Sequence, residues 1–191
     1  MPEYITLADG SLAVKGRNLL YQSCPLVIGN WNKHGALCVM DSETLYDGKP
    51  TLKTVLGGGG GIRYYPLPRT TPSENVEDWV PMVPGQTYTY SMCLKAEGTV
   101  AHSWQAPLHW NFKNSNGETN QSPTFISNGG TITVGEWSII WTRFRANHKW
   151  MRPFIYTSQN PAVNVNIAWI KLEYGDEMTG PSAAPEDEEA V

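Results

Sequence analysis

A strict alternation of apolar and polar side chains limits the fold of this chain more than any other feature. Residues 87–96 (TYTYSMCLKA) place two Tyr, a Met and a Leu on one face, with small polar residues between them. Residues 104–112 (WQAPLHWNF) alternate in the same way. A repeat of two is the side-chain period of a β-strand, and an alternation of this length is typical of a strand with one buried face.

The rest of the chain favours short strands joined by turns. It has 18 Gly and 14 Pro among 191 residues, and each costs about 1–3 kcal/mol inside a helix. Further strands are predicted at residues 36–40, 62–66, 132–134, 137–146, 150–157 and 163–173. About ten short strands separated by turns are typical of two stacked antiparallel sheets. We therefore predict an all-β fold, a β-sandwich of two antiparallel sheets.

Two terminal segments lie outside this strand pattern. Residues 1–15 mix polar and apolar side chains without a period, so we predict an N-terminal arm. Residues 175–191 contain two prolines and an acidic run, which predicts an extended acidic tail that leaves the domain. The sandwich itself is predicted to span residues 16–174.

The alternation also divides the aromatic residues between core and surface. The Trp rings expected in the core are those of Trp104, Trp110, Trp137 and Trp141. In the last strand, Ala168, Ile170 and Leu172 are expected to point inward. Ile167 and Trp169 are expected on the opposite face, where Trp169 meets a groove, a partner subunit or water.

Charge and cysteine content exclude several classes of partner. The net charge is −4 and the basic residues are scattered, so no basic stripe is available to bind nucleic acid. No apolar run approaches the roughly 20 residues of a membrane span, and the first ten residues do not resemble a secretory signal. The cysteines lie far apart, so buried thiols are expected, with a Cys24–Cys38 bridge left open.

The sequence offers no convincing catalytic constellation, and we predict that the protein is not an enzyme. Most acidic residues fall in loops and in the tail, whereas a glycosidase needs two carboxylates about 5–9.5 Å apart. No GxSxG motif is present, and the histidines lack the HxH or HExxH spacing of a zinc site. Calcium held by loop carboxylates and carbonyls stays open.

Four parts of the chain carry a family resemblance. They are NLL (18–20), VPGQTYTYSMCLKAEG (83–98), LHWNFKNSNGE (108–118), and GEW (135–137) together with IAWIKLEYGDEMTGPSAAPED (167–187). These segments resemble the carbohydrate-binding, galactose-binding-like jelly-roll modules of bacteriophage tail and baseplate proteins. The resemblance covers mainly residues 83–187 and implies a jelly-roll β-sandwich.

The resemblance also implies a function and partners. It implies a non-catalytic virion protein of the phage tail, baseplate or fibre, assembled in the host cytoplasm, whose module binds host-surface carbohydrate. Other virion proteins and further copies of the chain are the implied partners, with no cofactor. Some related modules hold a structural calcium ion near their termini, but Ala168 and Trp169 stand where an Asp is common.

Two other functions stay open. The first is a purely structural virion protein, for capsid decoration or tail or fibre attachment. The second is the non-catalytic module of a cell-wall hydrolase.

Sugar recognition requires flat aromatic rings for the apolar faces of the sugar and polar side chains for its hydroxyl groups. The candidate ligand-binding residues of this kind are Trp31, Tyr64, Tyr65, His109, Asn111, Trp150, Arg152 and Trp169. For Arg152, an ion pair with an acidic neighbour is the alternative role.

Overall fold

The computed structural model describes residues 3–20, 23–24, 26–34, 37–56, 61–66, 73–98, 108–119, 130–156, 163–182 and 184. These residues form β-strands and two short 3-10 helices, Ile28–Asn30 and Val76–Asp78. The strands are β1 (Tyr4–Thr6), β2 (Leu12–Val14), β3 (Trp31–His34), β4 (Cys38–Tyr46), β5 (Lys49–Leu56), β6 (Gly61–Tyr64), β7 (Val80–Pro81), β8 (Thr87–Glu97), β9 (Leu108–Lys113), β10 (Trp137–Arg145), β11 (Trp150–Tyr156) and β12 (Val163–Tyr174). Within the described ranges, no helix is both long and apolar enough to cross a bilayer.

Two antiparallel sheets stack into a sandwich, which confirms the predicted fold. Sheet A has the order β10-β8-β12-β5-β4. In sheet B, β9 pairs with one edge of β11, while β6 and the short β7 pair with the other edge at opposite ends. Strand β3 extends sheet B beyond β6, and β1 and β2 form a separate hairpin.

The core lies between the inner faces of the sheets. From β8, the predicted face of Tyr88, Tyr90, Met92 and Leu94 is fully buried there. From β9, Trp110 faces them, with its ring stacked at 4.5 Å on a Phe of β10. Full burial of a large apolar side chain stabilises the fold by about 1.5–3 kcal/mol. The alternation therefore identified the inner face of β8 correctly, but the expectation of a single buried face is wrong, since Thr89, Ser91 and Cys93 on the other face are buried too.

A β-bulge changes the alternation in β12. Ile167 pairs with Leu94 and Trp169 pairs with Cys93, the next residue of β8, so Ala168 is an extra residue. Ile167 consequently joins the main core, whereas Ala168 packs with Trp169 and Cys93 on the outer side of sheet A. The predicted orientations of Ile167 and Ala168 are therefore wrong, because a strict period of two does not continue across a bulge.

The two Trp residues of β10 also differ from expectation. Ser138, Ile140 and Thr142 are the buried residues of this strand. Trp137 and Trp141 therefore lie half-buried on the outer face of sheet A. The expectation that Trp137 and Trp141 lie in the core is therefore wrong, because at this edge strand Ser138 and Thr142 face inward with Ile140. Of the other predicted core rings, Trp110 is buried as expected, and Trp104 lies outside the described residues.

The chain continues to contact the sandwich after β12. The backbone N–H of Thr179 donates to Glu173 at 3.0 Å, and the Lys171 ammonium donates to the carbonyl of Gly180 at 3.0 Å. Asn18 then donates to the carbonyl of Ser182 at 3.0 Å. The expectation that the chain leaves the domain at residue 175 is therefore corrected for residues 175–182. Residues 185–191 lie outside the described part.

All three cysteines are within the described ranges and none forms a disulfide. The bridge left open between Cys24 and Cys38 is therefore absent. Cys93 is buried beneath sheet A's outer side chains, and this burial raises the pKa of its thiol to about 11.

Candidate functional site

The candidate site is the outer face of sheet B, the surface of that sheet that points away from the core. Strand β11 forms its centre, because Met151 and Ile155 enter the core and the alternate residues Arg152 and Phe154 face outward. The pairing of β9 with β11 places Lys113 beside Trp150, Asn111 beside Arg152, and His109 beside Phe154. On the other side of β11, Arg63 of β6 pairs with Phe154.

The guanidinium group of Arg152 is held rigidly at the centre of this face. The side chain has no solvent exposure. Its Nη1 donates to a Glu74 carboxylate oxygen at 2.8 Å and to the Ser73 carbonyl at 2.9 Å, and Nη2 donates to Asn111 at 2.9 Å. The guanidinium also stacks 4.5 Å from the centre of the Trp79 ring. Ionic, polar and aromatic contacts therefore fix its position together.

Lys113 shares these partners. Its ammonium group donates to the Glu74 carbonyl at 3.1 Å and to the carboxylate at 3.3 Å, and it lies 5.0 Å from the Trp79 ring centre. The Lys113 side chain is 6% exposed, whereas that of Glu74 is 53% exposed. Two buried cations thus depend on one carboxylate that remains open to solvent.

Arg63 provides a third cation on the same face. Its guanidinium lies 5.4 Å from the centre of the Phe154 ring. Burial, and then repulsion by Arg152, lowers the pKa of Arg63. A Cβ at Gly61 would lie 2.8 Å from the Phe154 ring and 2.4 Å from a backbone carbonyl of β11. The ring can therefore lie over β6 only because a glycine is present there.

The structure gathers most of the predicted binding residues on this face. Those that lie on it are Tyr65, His109, Asn111, Trp150 and Arg152. The Tyr65 hydroxyl accepts from the Ser73 backbone at 3.0 Å and lies 3.5 Å from the Arg152 guanidinium. Only the backbone position of His109 is described. Tyr65, Asn111 and Arg152 are buried on this face, whereas Trp150 is half-buried.

The remaining predicted binding residues are not available on this face. Trp31 and Tyr64 point into the core, where their rings contact each other with centres 5.2 Å apart. Trp169 points to the outer side of sheet A as predicted, but it is only 2% exposed because Tyr46 and Trp137 pack beside it. These three assignments are corrected, because sequence spacing shows on which side of a strand a ring lies but not what covers it.

Sequence reasoning missed several residues of the outer face. Lys113 and Phe154 continue alternations already recognised in β9 and β11, so the pattern could have identified them. Trp79 and Glu74 carry no such signal. They belong to the connection between β6 and β7, which contacts the face at Arg152 and Lys113.

The outer face of sheet A forms a second exposed surface. Its edge strand β10 presents half-buried Trp137 and Trp141, with Ile139 between them 38% exposed. The Arg143 guanidinium lies 4.7 Å from the Trp141 ring centre. This strip has a more apolar character than the outer face of sheet B.

No group of three or more His, Cys, Asp or Glu side chains in the described part of the chain is placed to hold a metal ion. The calcium site implied by the family resemblance is neither supported nor tested by this finding and stays a prediction.

The fold is similar to those of solved carbohydrate-binding modules. One match is the structure of the CBM22-1–GH10 modules of endo-1,4-beta-D-xylanase 10B from Clostridium thermocellum, complexed with xylohexaose. Its TM-score is 0.58 at 13% identity, and the match covers 84% of this chain and 29% of that longer chain. The CBM22-1 xylan-binding domain from Paenibacillus barcinonensis matches with a TM-score of 0.54 at 15% identity, over 85% and 97% of the two chains. A further CBM22 xylan-binding domain matches with a TM-score of 0.53 at 15% identity, over 83% and 96%.

At these identities the similarity shows the fold alone. The chain thus has a jelly-roll β-sandwich like that of carbohydrate-binding modules, which agrees with the predicted fold. No protein-family model matches the sequence, and no curated protein matches it.

Proposed function

We propose that this chain is a non-catalytic phage virion protein of the tail, baseplate or fibre whose jelly-roll module binds host-surface carbohydrate on the outer face of sheet B. The observation that carries the proposal is the row Trp150, Arg152 and Phe154 along β11. It combines aromatic rings with a guanidinium that is fixed before any ligand arrives. The fold, shared with carbohydrate-binding modules, and the motifs that resemble phage tail modules support the proposal.

The geometry of the row suits an extended sugar chain. Alternate residues of a strand lie about 6.6–6.8 Å apart, and Arg152, which has no solvent exposure, supports this spacing from beneath the surface and does not itself contact the ligand. Trp150 offers a half-buried ring against which a sugar face can stack. Arg152 and Asn111 already bond to each other, so they keep the polar centre of the face in one arrangement. A preorganised face loses less side-chain entropy on binding than a mobile one.

Such a face is expected to bind one glycan weakly. Display of several copies in a homo-oligomer, attached to other virion proteins, would raise the overall avidity by about 10²–10⁴ without any new contact. This is the arrangement we propose for the virion, with assembly in the host cytoplasm.

A glycan array followed by isothermal titration tests the proposal. We expect at least one glycan to bind with a micromolar to millimolar Kd, and Trp150→Ala to weaken it tenfold or more, about 1.4 kcal/mol. Trp141→Ala is the matched control, because Trp141 is also half-buried and points outward but lies on the other sheet. Absence of binding to every glycan, or an equal loss in both variants, would contradict the proposed site.

The alternative proposal is a purely structural virion protein, and a specific observation favours it. The strip formed by Trp137, Ile139 and Trp141 on β10 is apolar and partly exposed, as the centre of a protein interface often is. In this case, Ile139→Lys should abolish incorporation of the chain into virions while glycan binding stays absent. Incorporation at the normal level in the Ile139→Lys virion would count against this alternative.

A further inference from the structure

Among the described residues, the outer face of sheet B has a local charge opposite to that of the whole protein. The chain carries a net charge of −4. On this face, however, neighbouring strands contribute the cations Arg63, Lys113 and Arg152. Glu74 is the carboxylate that contacts Lys113 and Arg152.

Among the described residues, Glu74 pairs with Arg152 and Lys113 and not with Arg63. Its carboxylate oxygens are 2.8 Å from Arg152 and 3.3 Å from Lys113, so its charge is already shared by two cations. Glu74 and the Tyr65 hydroxyl do favour the charged form of Arg63. Burial and the repulsion from Arg152 outweigh them, and they lower the pKa of Arg63 overall. Asp78, in the same connection as Glu74, is engaged by the Ser73 hydroxyl.

Part of the hydrogen-bonding capacity of two guanidinium groups on this face is unused among the described residues. The Nε atoms of Arg63 and Arg152 are both buried and have no hydrogen-bond acceptor among the described residues. Arg63 as a whole is half-buried, and its register neighbours are Asn32 on β3 and Phe154 on β11. A guanidinium with free donor capacity pairs best with a planar or tetrahedral oxyanion, to which it can form two parallel hydrogen bonds.

We infer that the glycan bound by the outer face of sheet B is an acidic polysaccharide, one of whose carboxylate or sulfate groups binds Arg63. This inference rests on the proposed function and specifies the substrate class of the same face. The anion supplies the charge that Arg63 lacks, while the Phe154 ring beneath the guanidinium keeps it turned toward the ligand. A neutral glycan has no anionic group that could pair with Arg63.

Affinity electrophoresis with matched pairs of polysaccharides tests the inference. The gels contain polygalacturonate, carboxyl-reduced polygalacturonate, dextran sulfate or dextran. We expect retardation in one or both acidic gels and none in the paired neutral gel. Retardation by polygalacturonate alone identifies a carboxylate ligand, and retardation by dextran sulfate alone identifies a sulfate ligand.

Two variants separate recognition by Arg63 from general ionic attraction. Arg63→Gln should reduce the apparent affinity for the acidic polymer at least tenfold. Arg143→Gln removes a cation stacked on an aromatic ring of the opposite sheet and should change it less than twofold. Because Arg63 is repelled by Arg152, Arg63→Gln should remain folded, as checked by circular dichroism.

The possible outcomes separate this inference from the proposed function. Binding of neutral glycans on the array, lost in Trp150→Ala but unchanged in Arg63→Gln, overturns the acidic ligand and leaves the glycan-binding face intact. Equal retardation of both Arg variants overturns the assignment to Arg63. Retardation in none of the four gels also overturns the inference, while the array decides the proposed function separately.

Discussion

Replacing Glu74 by Gln tests whether one carboxylate stabilises the whole outer face of sheet B. The carboxylate binds Arg152 at 2.8 Å and Lys113 at 3.3 Å, and these two side chains are 0% and 6% exposed. A hydrogen bond to a charged group contributes about 1.5–3 kcal/mol, and removal of one partner of a buried pair costs about 3–5 kcal/mol.

Two features of the site reduce the expected effect. Glu74 is 53% exposed, so solvent already screens part of its charge. The glutamine oxygen can also retain one neutral hydrogen bond to Arg152. We therefore expect Glu74→Gln to lower the free energy of unfolding by about 2–3 kcal/mol, which corresponds to about 5–10 °C in Tm for a domain of this size.

Urea denaturation followed by tryptophan fluorescence measures this change. Glu77→Gln is the matched control, because Glu77 is an exposed carboxylate in the same connection without an ion pair among the described residues. The control should stay within about 0.5 kcal/mol of the parent protein. If Glu74→Gln also stays within that limit, the two cations do not depend on this carboxylate and the reasoning is refuted.

Three further predictions concern other parts of the fold. Hydrogen bonds from the Asn166 amide and from two backbone N–H groups lower the pKa of Asp41 from 3.8 to about 2. Its contribution to stability should therefore be present above about pH 4 and disappear as the pH falls toward 2, and Asp41→Asn should flatten the curve of unfolding free energy against pH in that range. Because burial raises the pKa of Cys93 to about 11, iodoacetamide at about pH 8 should modify Cys93 only after unfolding, as read by mass spectrometry. Gly61→Ala should destabilise the protein by about 1–3 kcal/mol in urea denaturation, because the added methyl group would lie 2.8 Å from the Phe154 ring; unchanged stability would show that the ring moves freely.

The predicted strands were most accurate where one face of a strand is wholly apolar. In β8, the alternation of Tyr, Met and Leu with small polar residues identified the inner face, because that strand has neighbours on both sides and core against one face. In β10, the same reasoning placed Trp137 and Trp141 inside. In an edge strand, large side chains can lie on either face, and in β10 it is Ile140 that points into the core.

The candidate site was partly predictable for the same reason. The period of two predicts Asn111 on the solvent side of its strand and Arg152 on the same face of its strand as Trp150, and the antiparallel register of β9 and β11 then makes Asn111 and Arg152 neighbours. Trp31 and Tyr64 were assigned to binding because of their residue type and their polar surroundings. Their burial depends on the opposite sheet, which lies far away in the sequence.

Local pattern thus determined the β-sandwich class and the side of the strand on which most outward residues lie, because the side-chain period and the turn residues act over a few neighbouring positions. Tertiary structure alone decided which outward rings stay accessible, because coverage comes from segments distant in the chain. Tyr46 and Trp137 cover Trp169, and Trp79 covers Arg152. The bulge at Ala168 was likewise decided by pairing, since only the register against β8 shows that one residue of β12 has no counterpart.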